Sequence, residues 1–123
     1  MELYQKTAAE LSAMLKNKEV SSVELTKAAF ARTAAVEDKV GAYITLTEEH
    51  ALETAAAIDA KRAAGEELAP LAGVPVSVKD NICTKGIRTT CASRMLENFQ
   101  PPYDATVMNR LHDAGPVSYT HLT

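Results

Sequence analysis

The amino-acid sequence predicts an α/β fold, and three observations support this prediction. Residues 7–64 are rich in alanine, and their apolar side chains recur at helical spacing. Two short segments, residues 42–46 and 74–78, contain instead the alternating or β-branched apolar residues that are typical of strands. The length of 123 residues fits one domain at most, and no repeat or low-complexity linker divides the sequence.

Two sequence signatures mark the beginnings of the first two predicted helices. Thr7 and Glu10 fit a capping box, in which the threonine oxygen accepts from the third amide and the glutamate reaches back to the cap amide. Ser21 and Glu24 form a second such pair. The helices that follow are expected to end near Lys16 and near Val36.

A short strand is predicted between these helices and a third one. Residues 42–46 alternate in character, as a half-buried strand does. Thr47 is the expected N-cap of a helix near residues 48–64, in which acidic residues in the first turn and basic residues in the last complement the helix dipole. Gly65 is the expected residue after the C-cap.

The second half of the chain contains fewer periodic segments. Residues 74–78 are predicted to form a buried strand, with Pro75 at its start because proline donates no ladder hydrogen bond. The following segment of about 25 residues, 79–103, has little periodicity, and such a segment in a compact domain is often functional. Asp104 is the expected cap of a last helix, which ends at Gly115.

The composition excludes several classes of protein. A formal net charge of -3 argues against non-specific nucleic-acid binding, which requires a basic face. No apolar run approaches the roughly 18 residues of a membrane span, and the first residues carry neither a secretory nor a transit signal. Two cysteines cannot fill a tetrahedral metal site, and the scattered glycines form no phosphate-binding loop. We therefore expect a soluble cytoplasmic protein.

Lys79 is the candidate catalytic residue because it directly follows an apolar strand. At a reference pKa of about 10.4, only about one lysine in a thousand is neutral near pH 7.4. Deprotonating the lysine at that pH therefore costs roughly 4 kcal/mol of free energy. A lysine base therefore requires burial and neighbouring hydrogen bonds that lower its pKa. From spacing alone, a solvated lysine at a strand end is the simpler interpretation.

Three other groups of polar residues are explained more simply by structural roles. Cys83 and Cys91 are not spaced as a CxxC redox pair, and we interpret them as free thiols. Hydroxyl residues of the aperiodic segment are expected to bond nearby backbone groups: Thr84, Thr89, Thr90 and Ser93. The histidines are expected to be solvated at the surface: His50, His112 and His121.

A longer stretch of sequence resembles a known family. The segment LAGVPVSVKDNICTKGIRTTCASRMLENFQPPYDATVMNRLHDAG, from Leu71 to Gly115, is similar to the opening part of the amidase signature domain. Within that family, KDNICTKGIRTTCASRMLENF followed by PPYDATV is similar to the A-type subunits of bacterial glutamyl-tRNA(Gln)/aspartyl-tRNA(Asn) amidotransferases. The lead-in EVSSVELT is similar too, so that the resemblance covers about residues 3–115.

The resemblance implies a fold and a division of the chain. The implied fold is the N-terminal part of the amidase signature fold, a mixed β-sheet flanked by helices that is incomplete in this chain. Residues 1–115 would form the N-terminal portion of an amidase domain. In it, residues 1–66 would be a helical lead-in and residues 67–115 the start of the catalytic core.

The resemblance also implies a reaction and partners. The family uses a Ser–cis-Ser–Lys triad, and the lysine of its V-K-D-N run falls on Lys79. In the tRNA-dependent members the amide donor is glutamine, and the released ammonia passes to a partner subunit. That subunit uses ATP and Mg²⁺ to convert mischarged Glu-tRNA(Gln) to Gln-tRNA(Gln), or Asp-tRNA(Asn) to Asn-tRNA(Asn). The implied partners are subunits B and C, with no cofactor bound by this chain and no membrane.

The sequence departs from the family pattern after Gly115. There the family continues with an apolar strand and a G-K-T-N run, and both triad serines follow downstream. Residues 116–123 read PVSYTHLT, which we interpret as a tail unlike the family, similar to translated adapter or read-through sequence, so that Ser118 is not a triad serine. We therefore expect a truncated chain with two strands that is unstable and has no amidase activity alone.

Two other functions stay open from the sequence. A stand-alone amidase acting on small amides would share the fold and Lys79. A non-catalytic interaction module would instead use the amphipathic helices of residues 8–64 to dock a partner. Loss of activity on replacing Lys79 would favour either enzyme over the module.

Overall fold

The structure has a mixed α/β architecture in which helices pack against a three-stranded sheet, as predicted. A computed structural model describes residues 1–122 of the chain. The regular elements are α1 (Ala8–Lys16), α2 (Ser22–Val40), β1 (Tyr43–Leu46), α3 (Glu48–Ala63), β2 (Pro75–Lys79), α4 (Thr106–Ala114) and β3 (Val117–Leu122). Single turns of 3₁₀ helix occur at Leu3–Gln5 and Arg94–Leu96. None of the described helices is long and apolar enough to cross a membrane.

The first two helices begin where the capping boxes predict. The Glu10 amide donates to Thr7 Oγ1 over 3.3 Å, and the Thr7 amide donates to the Glu10 carboxylate over 2.7 Å. Ser21 and Glu24 repeat the arrangement at the start of α2. Helix α2 extends beyond the expected end near residue 36, because Gly41 in the left-handed conformation is the first residue that terminates it.

A side chain that the sequence did not single out joins α2 to α3. Asp59, on α3, accepts hydrogen bonds from the amides of Ser22 at 2.8 Å and Val23 at 3.0 Å. Its carboxylate therefore satisfies two first-turn amides of α2 and lies at the positive end of that helix dipole. Small residues on α3 allow the close packing of a core made by Phe30, Ala51, Ala55, Ile58, Ala72 and Val117.

Within residues 1–122 the sheet contains three strands, so the expectation of two was wrong, and the instability that was expected from two strands alone loses its basis. The strand order is β1-β3-β2, with β3 antiparallel to β1 and parallel to β2. The predicted tail, 116–123, therefore supplies the central strand, and Val117 is fully buried. The β-branched and aromatic residues of this segment suit a strand, so the local sequence carries a signal for β3 that the comparison with the family pattern obscures. Thr123 lies outside the described residues.

The last helix, α4, ends at the predicted residue, but its start differs from the prediction. Ala105 is the N-cap of α4, and no side chain caps the helix. Asp104 instead accepts a hydrogen bond from the Lys85 amide at 2.7 Å, so it was wrongly predicted as the cap. Gly115 ends the helix in the left-handed conformation, and its carbonyl accepts from the Gly73 amide at 3.0 Å. This bond sets the starts of β2 and β3 side by side.

Candidate functional site

Lys79 is the last residue of β2, at the edge of the sheet where that strand ends. Its side chain is exposed and, among the described residues, makes no hydrogen bond or ion pair. It opens onto a cavity of about 260 Å³. The cavity is lined by Ile44, Lys79, Asp80, Asn81, Cys91, Ala92 and Leu122. The ammonium is therefore free to meet a group that enters this cavity.

Asp80, the next residue, is buried and connects three segments of the chain. Only 2% of its surface is exposed. Its amide donates to the Leu122 carbonyl at 2.8 Å, and its carbonyl accepts from the Cys91 amide at 3.0 Å. Burial alone would raise the pKa of Asp80, but hydrogen bonds from Thr90 and His121 outweigh it and lower the pKa below its ordinary value. Asp80 is therefore an anion at neutral pH.

Thr90 joins the Asp80 carboxylate to the turn that forms one wall of the cavity. The Thr90 amide donates to Asp80 Oδ2 at 3.1 Å, and the Thr90 hydroxyl donates to the same oxygen. The Thr90 oxygen in turn accepts from the Ala92 amide at 3.1 Å. Because a hydroxyl has one hydrogen and two lone pairs, this side chain can serve both partners at once.

The turn itself has an unusual backbone. Cys91 and Ala92 both have positive φ angles, 51° and 53°, in the left-handed region. This conformation costs a residue with a side chain roughly 1–2 kcal/mol. Two such residues in succession persist only where surrounding bonds hold them, and here Asp80 and Thr90 provide those bonds.

His121 is buried beside Asp80, so its predicted place at the surface was wrong. Its Nδ1 lies 3.2 Å from Asp80 Oδ1, and its Nε2 lies 3.0 Å from Thr84 Oγ1. A carboxylate only accepts hydrogen bonds, so Nδ1 carries the hydrogen in this pair. Sequence spacing could not reveal the contact, because it joins residues 41 positions apart.

The aperiodic segment after Lys79 is ordered by bonds between its two halves. The Gly86 amide donates to the Pro101 carbonyl at 3.0 Å, the Thr89 amide to the Phe99 carbonyl at 3.0 Å, and the Ala105 amide to the Cys83 carbonyl at 2.8 Å. The Arg88 guanidinium reaches the Ile44 carbonyl of β1 at 3.2 Å. The segment thus forms a closed loop, which we call the cavity loop, residues 80–105.

Most of the remaining candidates have the roles that the sequence predicted for them, but the Ser93 side chain makes no capping hydrogen bond to the Arg94–Leu96 turn that it precedes. Cys83 and Cys91 are free thiols. Thr84 and Thr89 donate to the carbonyls two residues before them, at 3.2 and 3.0 Å. His50 and His112 are exposed. Within residues 1–122, no group of three or more His, Cys, Asp or Glu side chains is arranged to hold a metal ion.

Two larger cavities lie elsewhere, and neither includes Lys79. One of about 420 Å³ opens among Leu3–Gln5, α1, α2 and β1, and another of about 540 Å³ lies beside the turn between α1 and α2. We take the smaller cavity as the candidate site because only there does a lysine at a strand end face a strained turn held by a buried carboxylate. The sequence singled out Lys79 but not Asp80, although a charged residue directly after an apolar strand was a signal for it.

Comparisons with known proteins agree with the resemblance found in the sequence. A profile of the Amidase family matches residues 24–123. The chain is 60% identical over 117 residues to the A-type subunit of the glutamyl-tRNA(Gln) amidotransferase of Moorella thermoacetica, covering 95% of this chain and 24% of that protein. It is 55% identical, over the same length and with the same coverage, to the corresponding protein of Heliobacterium modesticaldum.

A solved structure shows the same fold over nearly all of the chain. The peptide amidase of Stenotrophomonas maltophilia superposes with a TM-score of 0.90 and 35% identity, covering 96% of this chain and 24% of that one. The chain thus spans about a quarter of the length of the relatives that it matches. The described residues correspond to the same fraction of the complete fold.

Proposed function

This chain belongs to the amidase family, and from that premise we propose that it forms the Lys79-bearing part of the glutamine-hydrolysing subunit of a tRNA-dependent amidotransferase. The complete subunit would release ammonia from glutamine, and that ammonia would convert Glu-tRNA(Gln) to Gln-tRNA(Gln) or Asp-tRNA(Asn) to Asn-tRNA(Asn). The observation that carries the proposal is the 60% identity to the A-type subunit of a glutamyl-tRNA(Gln) amidotransferase over 95% of this chain.

The geometry around Lys79 is suited to the lysine of a proton relay. Lys79 lies at the end of β2, where the backbone is held by pairing with β3, and its ammonium is free within the described residues. A base of this kind must be desolvated before it can lose its proton. We propose that the rest of a longer protein covers the cavity and supplies the burial that these residues do not provide.

The proposed reaction is the hydrolysis of glutamine to glutamate and ammonia. Neutral Lys79 would take a proton from a bridging serine, which takes the proton of a second serine as that oxygen attacks the amide carbon. The proton returns through the relay to the leaving nitrogen, and water then cleaves the acyl-enzyme. Both serines would come from outside residues 1–123. ATP and Mg²⁺ would be used by a partner subunit, and subunits B and C would be the partners.

A chimeric subunit tests the role of Lys79. Residues 1–115 of this chain would replace the matching quarter of the Moorella thermoacetica subunit, which would then be assembled with the other subunits of that enzyme. We expect Lys79→Ala to lower ammonia release from glutamine by at least about a thousandfold, as removal of one member of a catalytic triad does. Lys85→Ala, which removes an exposed lysine in the adjacent cavity loop, is the matched control.

The possible outcomes separate the proposed function from its alternatives. Activity of the Lys79→Ala chimera within tenfold of the unmodified chimera, with equal melting temperatures, would contradict the catalytic role. Hydrolysis of small amides without the other subunits would favour a stand-alone amidase. The 123-residue chain by itself is expected to release no ammonia, because it would hold one of the three triad groups.

A further inference from the structure

One wall of the cavity beside Lys79 is held by the side chain of Thr90, which is outside the cavity lining. That wall is the turn at Cys91 and Ala92, and both residues line the cavity together with Lys79. The turn has two consecutive left-handed residues, a backbone that does not persist without support. The groups that support it belong to Asp80 and Thr90.

The side-chain part of this support runs through a buried hydroxyl. Thr90, 5% exposed, donates its hydrogen to the Asp80 carboxylate and accepts from the Ala92 amide. The adjacent Cys91 amide is bound by the Asp80 carbonyl. Because Asp80 directly follows Lys79 in the chain, the same residue fixes the end of the lysine's strand and the wall of the cavity.

We propose that Asp80 and Thr90 are positioning residues, which hold the Cys91–Ala92 turn at a fixed place relative to Lys79 and so shape the cavity for the amide group of the substrate. This inference rests on the proposed function, since it concerns the reaction that Lys79 would serve. Thr90 is outside the cavity lining, and the Asp80 carboxylate is engaged by Thr90 and His121. Both act through the turn, which gives the cavity a defined wall in place of a mobile loop.

Thr90→Val in the chimeric subunit is the decisive variant. Valine has nearly the shape of threonine but lacks the hydroxyl, so it removes the bonds to Asp80 Oδ2 and to the Ala92 amide while retaining the amide bond of residue 90. We expect kcat/KM for glutamine to fall at least tenfold, with a rise in KM as well as a fall in kcat. Thr90→Ser keeps the hydroxyl and is expected to retain activity within threefold.

Hydrogen exchange measured by mass spectrometry on the peptide covering residues 88–96 reports the turn directly. We expect Thr90→Val to speed exchange in this peptide at least tenfold, and glutamine to slow exchange there in the unmodified chimera. Peptides from α2 and the melting temperature serve as controls, and neither is expected to change enough to account for the loss of activity.

The outcomes distinguish this inference from the proposed function. No ammonia release by the unmodified chimera would overturn the proposed function and the inference that rests on it. An active chimera in which Thr90→Val leaves kcat and KM within twofold would overturn only the inference. Equal losses in Thr90→Val and Thr90→Ser, or unchanged exchange of the 88–96 peptide, would overturn it as well, because the hydroxyl would then not hold the turn.

Discussion

The helical half of the chain and the half that contains the cavity are stabilised in different ways. In residues 7–66 the bonds of the capping boxes are short in sequence, such as those between Thr7 and Glu10, although Asp59 reaches the start of α2 from α3. In residues 70–122 they join distant positions, such as Asp80 with His121 and Arg88 with the carbonyl of Ile44. The helix starts of the first half can therefore be predicted from neighbouring residues, whereas the packing of α2 on α3 and the second half of the chain require the complete fold.

The elements that could be predicted from the sequence follow this division. Both capping boxes, the strand at residues 43–46 and the left-handed Gly65 after α3 are confirmed, because each depends on residues within one turn or one strand. The contact of Asp59 with the start of α2 could not be predicted. It depends on how α2 and α3 pack, and no local pattern encodes that.

The candidate site was predicted only in part for the same reason. Lys79 was a candidate from its place after an apolar strand together with the family resemblance, and its catalytic role stays a prediction. Burial of Asp80 and His121 follows from β3 lying between β1 and β2, and the strand order of a sheet is not written in any single segment. The wrong placement of Asp104 has a similar cause, because its carboxylate binds the Lys85 amide across the cavity loop instead of the adjacent helix.

A charge on the central strand is the most damaging change that we predict, and it tests the importance of long-range contacts. Val117 is fully buried in the core against α2 and α3. Val117→Asp would bury an unpaired carboxylate, at a cost of at least about 4 kcal/mol, which is most of the stability of a small domain. We expect the cooperative thermal transition, followed by circular dichroism, to disappear.

Val107→Asp is the matched control for this change. Val107 lies on α4 and is 52% exposed, so the same substitution leaves its carboxylate in water. We expect the free energy of unfolding to change by no more than about 0.5 kcal/mol. If the two variants were equally stable, the central position of β3 would be wrong, and the comparison between the two halves would lose its main support.

A smaller effect, which depends on pH, is predicted for Asp80. Its pKa is lowered in the folded protein, so the stability that it contributes is present above the unfolded pKa and is lost as the pH falls through the folded pKa. Asp80→Asn removes that contribution, and we expect about 1.5–3 kcal/mol of destabilisation at neutral pH, as for hydrogen bonds to a charged group.

Melting temperatures measured between about pH 7 and pH 3 check the sign of this prediction. The difference in melting temperature between the unmodified chain and Asp80→Asn is expected to be largest near neutral pH and to decrease in acid. Asp113→Asn, at an exposed position on α4, should show little difference at any pH. A constant difference for Asp80→Asn would indicate that the loss comes from altered packing and not from the carboxylate charge.

The smallest predicted effect comes from the helical half and completes the comparison. The Ser21 hydroxyl accepts from the Glu24 amide at 3.1 Å, whereas the amides of Ser22 and Val23 are bound by Asp59. Ser21→Ala therefore leaves one first-turn amide without its side-chain partner, and that amide can turn to water because Ser21 lies at the surface of the helix start. We expect the free energy of unfolding to fall by about 1 kcal/mol, or the melting temperature by about 4 °C, and Ser21→Thr to recover most of this loss.

A loss of stability in Ser21→Ala comparable to that of Val117→Asp would contradict this prediction. It would mean that α2 depends on its cap as strongly as the sheet depends on its central strand, and that local bonds carry as much of the stability as the long-range ones.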